Sequence, residues 1–163
     1  MNKIYLSSPH LGTQEQIFVQ QAFDTNWIAP LGPNVNGFEE DLQTYNNIEH
    51  AAALSSGTAA LHIGLDLLGV QTGDVVLCQS FTFCGSANPI TYLGATPVFI
   101  DSEAQTWNMD PIALEEAMQD LIQKGQRPKA IIPVHLYGMP AKMDEIVSIA
   151  QRYEIPILED AAE

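Results

Sequence analysis

The stretch Ser55-Ser56-Gly57-Thr58-Ala59-Ala60 separates the apolar run AAAL, residues 51–54, from the run LHIGLDLL, residues 61–68. The first run predicts a buried strand and the second a helix, with Gly57 allowing a tight turn between them. Ser56 can cap this helix, whose first N–H groups have no intrahelical partner. Free N–H groups at the positive end of a helix suit a phosphate, but plain caps of this composition are common. A simple helix cap and an anion site therefore both remain open.

Outward from this stretch, short apolar runs alternate with helical patterns. Strands are predicted at residues 75–79, 97–101, 129–134 and 155–160, and helices at residues 58–68, 85–93, 111–124 and 141–153. Pro89 lies inside one helical pattern, so that helix begins near Pro89 or is kinked there. The alternation predicts an α/β fold whose parallel or mostly parallel sheet is covered on both faces.

The first 50 residues carry two further helical patterns, separated by a loop. Residues 13–16 (TQEQ) have the form of a capping box and predict a helix to about residue 24. Residues 36–39 (NGFE) predict a second helix start. Between them, residues 26–33 (NWIAPLGP) contain two prolines and a glycine, which forbid regular structure. Trp27 and Ile28 in this loop pack on the core or line a pocket, and we favour the pocket because loops commonly carry function.

Charge and composition exclude several classes of function. Six Lys+Arg against 20 Asp+Glu give the 163 residues a formal net charge of −14, so binding of nucleic acid through its phosphates is not expected. Cys78 and Cys84 have neither metal nor disulfide spacing, and we predict two buried thiols and no metal site. No apolar run approaches the ~18 residues of a membrane helix, so we expect a cytoplasmic protein without a membrane partner.

Ligands of parallel α/β sheets bind beyond the carboxyl ends of the strands, and several chemical groups follow these ends here. Asp160 ends an apolar run; taken alone, it is more often a helix cap than the partner of a cationic heterocycle. Phe83 is either a core residue or a ring that stacks on a planar ligand. His135 is either a structural histidine or the neighbour of a cofactor. No lysine occurs at these strand ends.

Five segments in order, spread along nearly all of the chain, carry a more specific signal. They are SGTAAL at residues 56–61, SFTF at 80–83 with Asn88, GATPVFID at 94–101, VHLYG at 134–138 and LEDAA at 158–162. Together they resemble the DegT/StrS-type sugar aminotransferases, fold-type I enzymes that depend on pyridoxal 5'-phosphate (PLP). The resemblance implies a truncated three-layer α-β-α large domain. Residues 1–163 would be an N-terminal arm plus the first part of that PLP-binding domain, without its remainder and without the C-terminal domain.

The resemblance also implies roles in cofactor binding for five residues. Gly57 and Thr58 would bind the phosphate of PLP, and Phe83 would stack on the pyridine ring. Asp160 would pair with the ring nitrogen and keep it protonated, so that the ring acts as an electron sink. Glu163 would lie beside the 3-hydroxyl of PLP or beside the substrate, at a position where many relatives carry glutamine or histidine.

The loop at residues 26–33 and the ending EDAAE at residues 159–163 look closest to the bacillosamine-pathway branch of the family. The resemblance implies that glutamate donates an amino group to C4 of a UDP-linked 4-keto-6-deoxy-N-acetylhexosamine in bacterial glycan biosynthesis, and that the enzyme is a homodimer. Trp27, Ile28, Ala29 and Pro30 would help to line the sugar-nucleotide pocket.

One residue that a PLP transaminase needs has no counterpart in residues 1–163. The resemblance places the cofactor-binding lysine downstream of the Asp160 motif, whereas the lysines present are Lys3, Lys124, Lys129 and Lys142. We therefore expect the chain to be part of a longer enzyme and to be inactive alone. The alternative is a non-enzymatic relative that binds PLP or a sugar nucleotide as a sensor or partner protein. A nucleotide-binding module is disfavoured, because neither GxGxxG nor GK[ST] occurs.

Overall fold

The computed structural model of the protein describes residues 3, 5 and 8–163. The chain divides into two compact units, one within residues 1–53 and one formed by residues 54–163. Within the described residues, every helix is too short or too polar to cross a bilayer.

The first unit contains two helices, α1 (Glu15–Asp24) and α2 (Pro33–Asn46). The predicted capping box of α1 is wrong, because the N-cap is Gln14 and makes no side-chain bond. Instead, the Glu15 carboxylate accepts the Gly12 N–H at 2.7 Å. The predicted start of α2 near residue 36 is also wrong. This helix begins at Pro33, since the fixed φ of proline suits the first helical position and costs no hydrogen bond there.

The second unit alternates helices and strands as predicted. Its elements are α3 (Gly57–Leu67), β1 (Val75–Gln79), α4 (Asn88–Tyr92), β2 (Thr96–Ile100), α5 (Pro111–Gln123), β3 (Ala130–Ile132), a 3₁₀ turn (Leu136–Gly138) and α6 (Met143–Tyr153). The strands form a parallel sheet in the order β2-β1-β3. Leu77 of β1 lies opposite Val98 of β2 and Ile131 of β3, so β1 is the central strand.

The last predicted strand, residues 155–160, is present only as two parallel bridges beside β3. Ile157 bridges to Ile131, and Asp160 bridges to Val134. The Asp160 N–H donates to Pro133 O at 3.0 Å, but Pro133 has no N–H to return. The proline therefore interrupts the ladder while still holding Asp160 in register at the edge of the sheet.

The strand predicted at residues 51–54 is wrong for the described residues. These four residues pair with no strand there, and the Ala53 N–H donates to the Glu39 carboxylate at 2.8 Å instead. An apolar run becomes a strand only where a neighbouring strand supplies ladder partners, and the run itself carries no information about that neighbour.

The core has two layers because successive residues of a strand point to opposite faces of the sheet. Leu77 and Ile131 pack on one face against residues of α5 and α6, including Leu114 and Ile146. On the other face, β1 and β3 pack against α3 and α4 through buried aliphatic residues such as Leu65, Val76, Ile90 and Ile132. The prediction of a sheet covered on both faces is confirmed.

A turn after β2 is closed by the Glu103 carboxylate. It accepts the N–H groups of Gln105 and Thr106 at 2.8 and 2.7 Å and the Thr106 hydroxyl, and it pairs with Lys142 Nζ at 3.1 Å. The hydrogen bond from the Thr106 hydroxyl contributes most to lowering the pKa of Glu103, which falls from 4.5 to about 2. Folding therefore stabilises the ionised form of the Glu103 carboxyl group.

Replacing Glu103 with glutamine should destabilise the fold in a pH-dependent way. Because the folded-state pKa is lowered, the wild-type advantage is fully present above about pH 4.5 and is lost as the pH falls toward 2. Urea unfolding of wild type and Glu103→Gln at pH 7, 4 and 2.5 measures this difference. The matched change Glu116→Gln, at an exposed site of α5, should show no such trend. A gap between wild type and Glu103→Gln that is equal at all three pH values would contradict the argument.

Candidate functional site

A cleft of about 440 Å³ opens beyond the carboxyl ends of the strands. Its walls come from the turns that follow β1, β3 and the bridged segment at residues 155–160. The aromatic and ionisable residues among them are Phe81, Phe83, His135, Tyr137, Asp160 and Glu163. The cleft lies where the fold class predicts a ligand site.

Asp160 lies half-buried in this cleft, and its carboxylate accepts two hydrogen bonds. Its Oδ2 atom accepts the hydroxyl of Ser86 at 2.5 Å, and its Oδ1 atom accepts the Ala162 N–H at 3.3 Å. Ser86 Oγ in turn lies 2.6 Å from Thr82 Oγ1. Asp160 therefore accepts the N–H of the residue two positions along the chain and also presents its carboxylate to the cleft. Its interpretation as a helix cap stays a prediction, because residues 161–163 carry no helix.

The two cysteines differ in their surroundings. Cys78 is buried in β1, and burial, followed by the nearby Asp160 charge, raises the pKa of its thiol to about 12. This thiol therefore stays neutral at physiological pH. Cys84 is exposed, so the prediction that it is buried is wrong. Its apolar neighbours in sequence lie in a turn after β1, where they do not enclose it.

The start of α3 carries the predicted phosphate end of the site. Ser56 is the N-cap, and its hydroxyl accepts the Ala59 N–H at 3.1 Å. Gly57 is the first residue of α3 and has no left-handed backbone angle, so the entry into the helix does not require the conformational freedom of glycine. A Cβ added at Gly57 would meet nothing within 4 Å, so no protein group occupies the space beside this residue.

Gly85 allows Thr58 and Phe83 to approach each other. A Cβ at Gly85 would lie 3.0 Å from Thr58 Oγ1 and 3.1 Å from the Phe83 ring, which is closer than ordinary contact. The Phe83 side chain is 79% exposed, and this excludes a core role for it. The fold thus brings a helix N-terminus, a free aromatic face and the Asp160 carboxylate together at one edge of the sheet.

His135 makes structural hydrogen bonds and also lines the cleft, so both interpretations of this residue stay open. Its Nδ1 atom accepts the Ala141 N–H at 3.0 Å, so Nε2 carries the proton in the neutral ring and donates to Glu159 at 3.1 Å. Glu163 lines the cleft, and its carboxylate accepts the N–H of Tyr137. Tyr137 has a φ of 54°, an uncommon left-handed conformation for a tyrosine, and the Glu163 contact supports it.

Two buried amides that sequence reasoning missed hold the cleft walls. Gln79 Oε1 accepts the N–H groups of Met109 at 2.8 Å and Val134 at 3.3 Å, and its Nε2 donates to Phe81 O at 2.9 Å. Asn108 accepts the Leu136 N–H at 2.9 Å and donates to Met139 O at 2.7 Å. The available signal was a glutamine that ends an otherwise apolar strand, residues 75–79.

The four loop residues predicted to line a sugar-nucleotide pocket lie in the first unit. Trp27 and Ala29 line a smaller cleft of about 200 Å³ within that unit, whereas Ile28 and Pro30 do not. The Trp27 ring lies against Gly32, where an added Cβ would come within 3.0 Å of it. Among the described residues, neither of these two clefts is lined by a lysine.

Comparisons of sequence identify relatives along the whole length of the chain. The profile of the DegT/DnrJ/EryC1/StrS aminotransferase family matches residues 9–163. EpsN of Bacillus subtilis strain 168, provisionally described as a pyridoxal phosphate-dependent aminotransferase, is 58% identical over 161 residues. A GDP-perosamine synthase of Caulobacter vibrioides is 40% identical over 161 residues. Each alignment covers 99% of this chain and 42% of the relative, so the chain spans about two fifths of their length.

Solved structures agree with the fold. A DegT DnrJ EryC1 StrS aminotransferase from Brucella abortus superposes with a TM-score of 0.85 at 38% identity, covering 90% of this chain and 39% of that one. The PMP form of the sugar aminotransferase Spr1654 from Streptococcus pneumoniae, itself named provisionally, superposes with a TM-score of 0.87 at 30% identity. That match covers 99% of this chain and 43% of the other.

Proposed function

Because the chain belongs to the DegT/DnrJ/EryC1/StrS aminotransferase family, we propose that the whole protein is a PLP-dependent sugar aminotransferase. The observation that carries the proposal is that Phe83 and Asp160 line one cleft beyond the parallel sheet, while Thr58 and Phe83 both lie against Gly85. These residues offer a hydrogen-bond donor to the phosphate, an aromatic ring that can stack on the pyridine and a negative charge opposite the ring nitrogen. These are the three kinds of contact that PLP requires. Family membership and the fold class were both predicted from the resemblance and are confirmed.

The phosphate end of PLP fits the start of α3. The Ser56 hydroxyl accepts the Ala59 N–H, while the N–H groups of Gly57 and Thr58 have no carbonyl acceptor within the helix. The space beside Gly57 is open, and the Thr58 hydroxyl adds a donor close to Gly85. Backbone donors and the helix dipole would thus hold a dianion in an otherwise acidic chain.

The ring end of PLP fits Phe83 and Asp160. The exposed Phe83 side chain would stack on the pyridine, and the Asp160 carboxylate would hold a proton on the ring nitrogen. When bound, PLP supplies an electron sink for the amino-group transfer. Residues 1–163 would bind and orient the cofactor, and we propose that Glu163 borders the 3-hydroxyl side of the ring.

The proposed amino donor is glutamate, and the proposed acceptor is C4 of a UDP-linked 4-keto-6-deoxy-N-acetylhexosamine. The resemblance of residues 26–33 and 159–163 to the bacillosamine-pathway branch supports this choice, whereas the relatives named GDP-perosamine synthase make a GDP-linked sugar the competing substrate. A net charge of −14 disfavours binding of a nucleoside diphosphate by the side chains of residues 1–163 alone. We propose a cytoplasmic homodimer in which other residues of the whole protein supply the cations.

An assay of the whole protein tests this function. Purified protein with PLP and glutamate is offered a UDP-linked 4-keto-6-deoxy-N-acetylhexosamine or a GDP-linked 4-keto-6-deoxyhexose, and mass spectrometry measures the aminated sugar. We expect amination of the UDP-linked sugar. Amination of the GDP-linked sugar alone would contradict the proposed substrate. Binding of PLP without amination of either sugar would favour a non-enzymatic sensor or partner protein.

Replacing Thr58 with valine should weaken PLP binding by the whole protein about 10- to 100-fold. The change removes one hydrogen bond to a charged phosphate, worth about 1.5–3 kcal/mol, and preserves the shape of the side chain. Equilibrium dialysis measures the dissociation constant. Thr91→Val, which removes a hydroxyl bonded to Asn88 O on α4, serves as the control and should leave the dissociation constant unchanged. An equal loss in both variants would show that Thr58 does not contact the phosphate.

A further inference from the structure

Three polar residues are fully buried among the described residues, namely Gln79, Ser86 and Asn108. A buried polar group is costly unless it is hydrogen-bonded, so the partner of each one shows what it contributes. Gln79 and Asn108 bond mainly to backbone groups and thereby hold turns together. The Ser86 hydroxyl bonds to two side chains instead, those of Thr82 and Asp160.

The chemistry of these three groups fixes the direction of their hydrogen bonds. An ionised carboxylate only accepts, so Ser86 donates its one proton to Asp160 Oδ2 over 2.5 Å. Ser86 Oγ can then only accept from Thr82 over 2.6 Å. We call this series, Thr82 to Ser86 to Asp160, the hydroxyl relay. Because Thr82 donates its hydroxyl proton to Ser86, its oxygen can only accept hydrogen bonds from a group in the cleft that it lines.

The backbone ties Ser86 to the residue that presents the aromatic face. The Ser86 N–H donates to Phe83 O at 3.1 Å, and the turn continues into α4. Cys78 is buried and its thiol bonds to Gln79 O, so among these hydrogen bonds it has no part in the relay. Ser86 is therefore the side chain that links the Asp160 carboxylate to the turn that carries Phe83.

We propose that Ser86 is a positioning residue that holds the Asp160 carboxylate, through the hydroxyl relay, in the orientation that keeps the pyridine nitrogen of PLP protonated. This inference rests on the proposed function, because it takes PLP as the ligand of the cleft. It adds that two hydroxyl groups, one of them fully buried and not part of the cleft lining, tune the proton affinity of that ligand.

The test uses the whole protein loaded with PLP that carries ¹⁵N at the ring nitrogen. The ¹⁵N chemical shift is followed against pH in wild type, Ser86→Ala, Ser86→Thr and Thr82→Val. The control is Ser102→Ala, since the buried Ser102 hydroxyl has no hydrogen-bond partner. We expect Ser86→Ala to lower the pH at which the nitrogen loses its proton by about one unit. Thr82→Val should give a smaller shift, and Ser86→Thr and Ser102→Ala should match wild type.

Thermal unfolding of the same variants separates positioning from general stability. A lower melting temperature in Ser86→Ala without any ¹⁵N shift would mean a purely structural role and would overturn the proposal. A shift in Ser86→Ala that threonine does not rescue would also overturn it, because the hydroxyl would not be the active group. If wild type binds no PLP, the proposed function fails together with this inference; if it binds PLP and the variants titrate alike, only this inference fails.

Discussion

Replacing Gln79 with leucine should lower the free energy of unfolding by about 3 kcal/mol. Leucine matches the glutamine in size, so the change leaves little cavity. It removes the acceptor of two backbone N–H groups, those of Met109 and Val134, and the donor to Phe81 O. Each group left unpaired in the interior costs about 1–3 kcal/mol, and water cannot reach a fully buried position to compensate. Urea unfolding followed by circular dichroism measures the loss.

The control for this prediction is the same substitution on the surface. Gln119 of α5 is exposed and makes a 3.3 Å hydrogen bond with the Tyr153 hydroxyl, so Gln119→Leu should change stability by less than about 0.5 kcal/mol. A similar small effect for Gln79→Leu would mean that the turns after β2 and β3 relax at no cost. The cleft walls would then be held by something other than the buried amides.

The elements that sequence predicts well are those whose signal is local. The run at residues 75–79 becomes β1 with the predicted bounds, and residues 111–124 become α5, which starts at Pro111. A continuous apolar run and a proline at the first helical position act within one turn or one strand. Such signals need no knowledge of what packs against the element.

The elements that sequence predicts poorly depend on partners distant in the chain. Residues 51–54 have the composition of a strand, but the Ala53 N–H finds the Glu39 carboxylate instead of a neighbouring strand. Residues 155–160 lie beside β3, yet Pro133 removes a ladder donor from the opposite side. In both places the outcome is decided by hydrogen bonds between segments that a local pattern does not describe.

The same distinction separates the parts of the candidate site. Asp160 and Phe83 could be named from sequence because strand ends meet at one edge of a parallel sheet and because a family motif surrounds each of them. Ser86 and Asn108 could not, because serine and asparagine are mostly exposed residues and only the folded structure shows that these two are buried. Residues that contact a ligand leave a motif, whereas residues that hold them in place are recognised by burial and by the partners of their hydrogen bonds.

Replacing Asp160 with asparagine should reduce the rate of amino transfer by the whole protein about 10²- to 10³-fold, the usual cost of losing one preorganised electrostatic contact. Asparagine keeps the shape and can still accept the Ser86 hydroxyl through its amide oxygen. The Ala162 N–H then loses its acceptor, but this 3.3 Å contact is exposed and water can replace it, so the fold should remain intact. Asparagine lacks the negative charge that would hold a proton on the pyridine nitrogen. Steady-state kinetics with glutamate and the 4-keto sugar should therefore show a lower kcat without loss of protein stability.

A second aspartate of the same chain provides the control for Asp160→Asn. Asp66 lies exposed on α3, so Asp66→Asn removes the same charge at a position that lines neither cleft and should leave kcat unchanged. If Asp160→Asn retained the wild-type rate, the counter-charge to the ring would have to come from another residue. If it lost activity together with its melting temperature, Asp160 would act mainly by closing its local turn with Ala162. Only a lower rate at unchanged stability supports Asp160 as the partner of the ring nitrogen, because that result separates the charge of the side chain from its contribution to the fold.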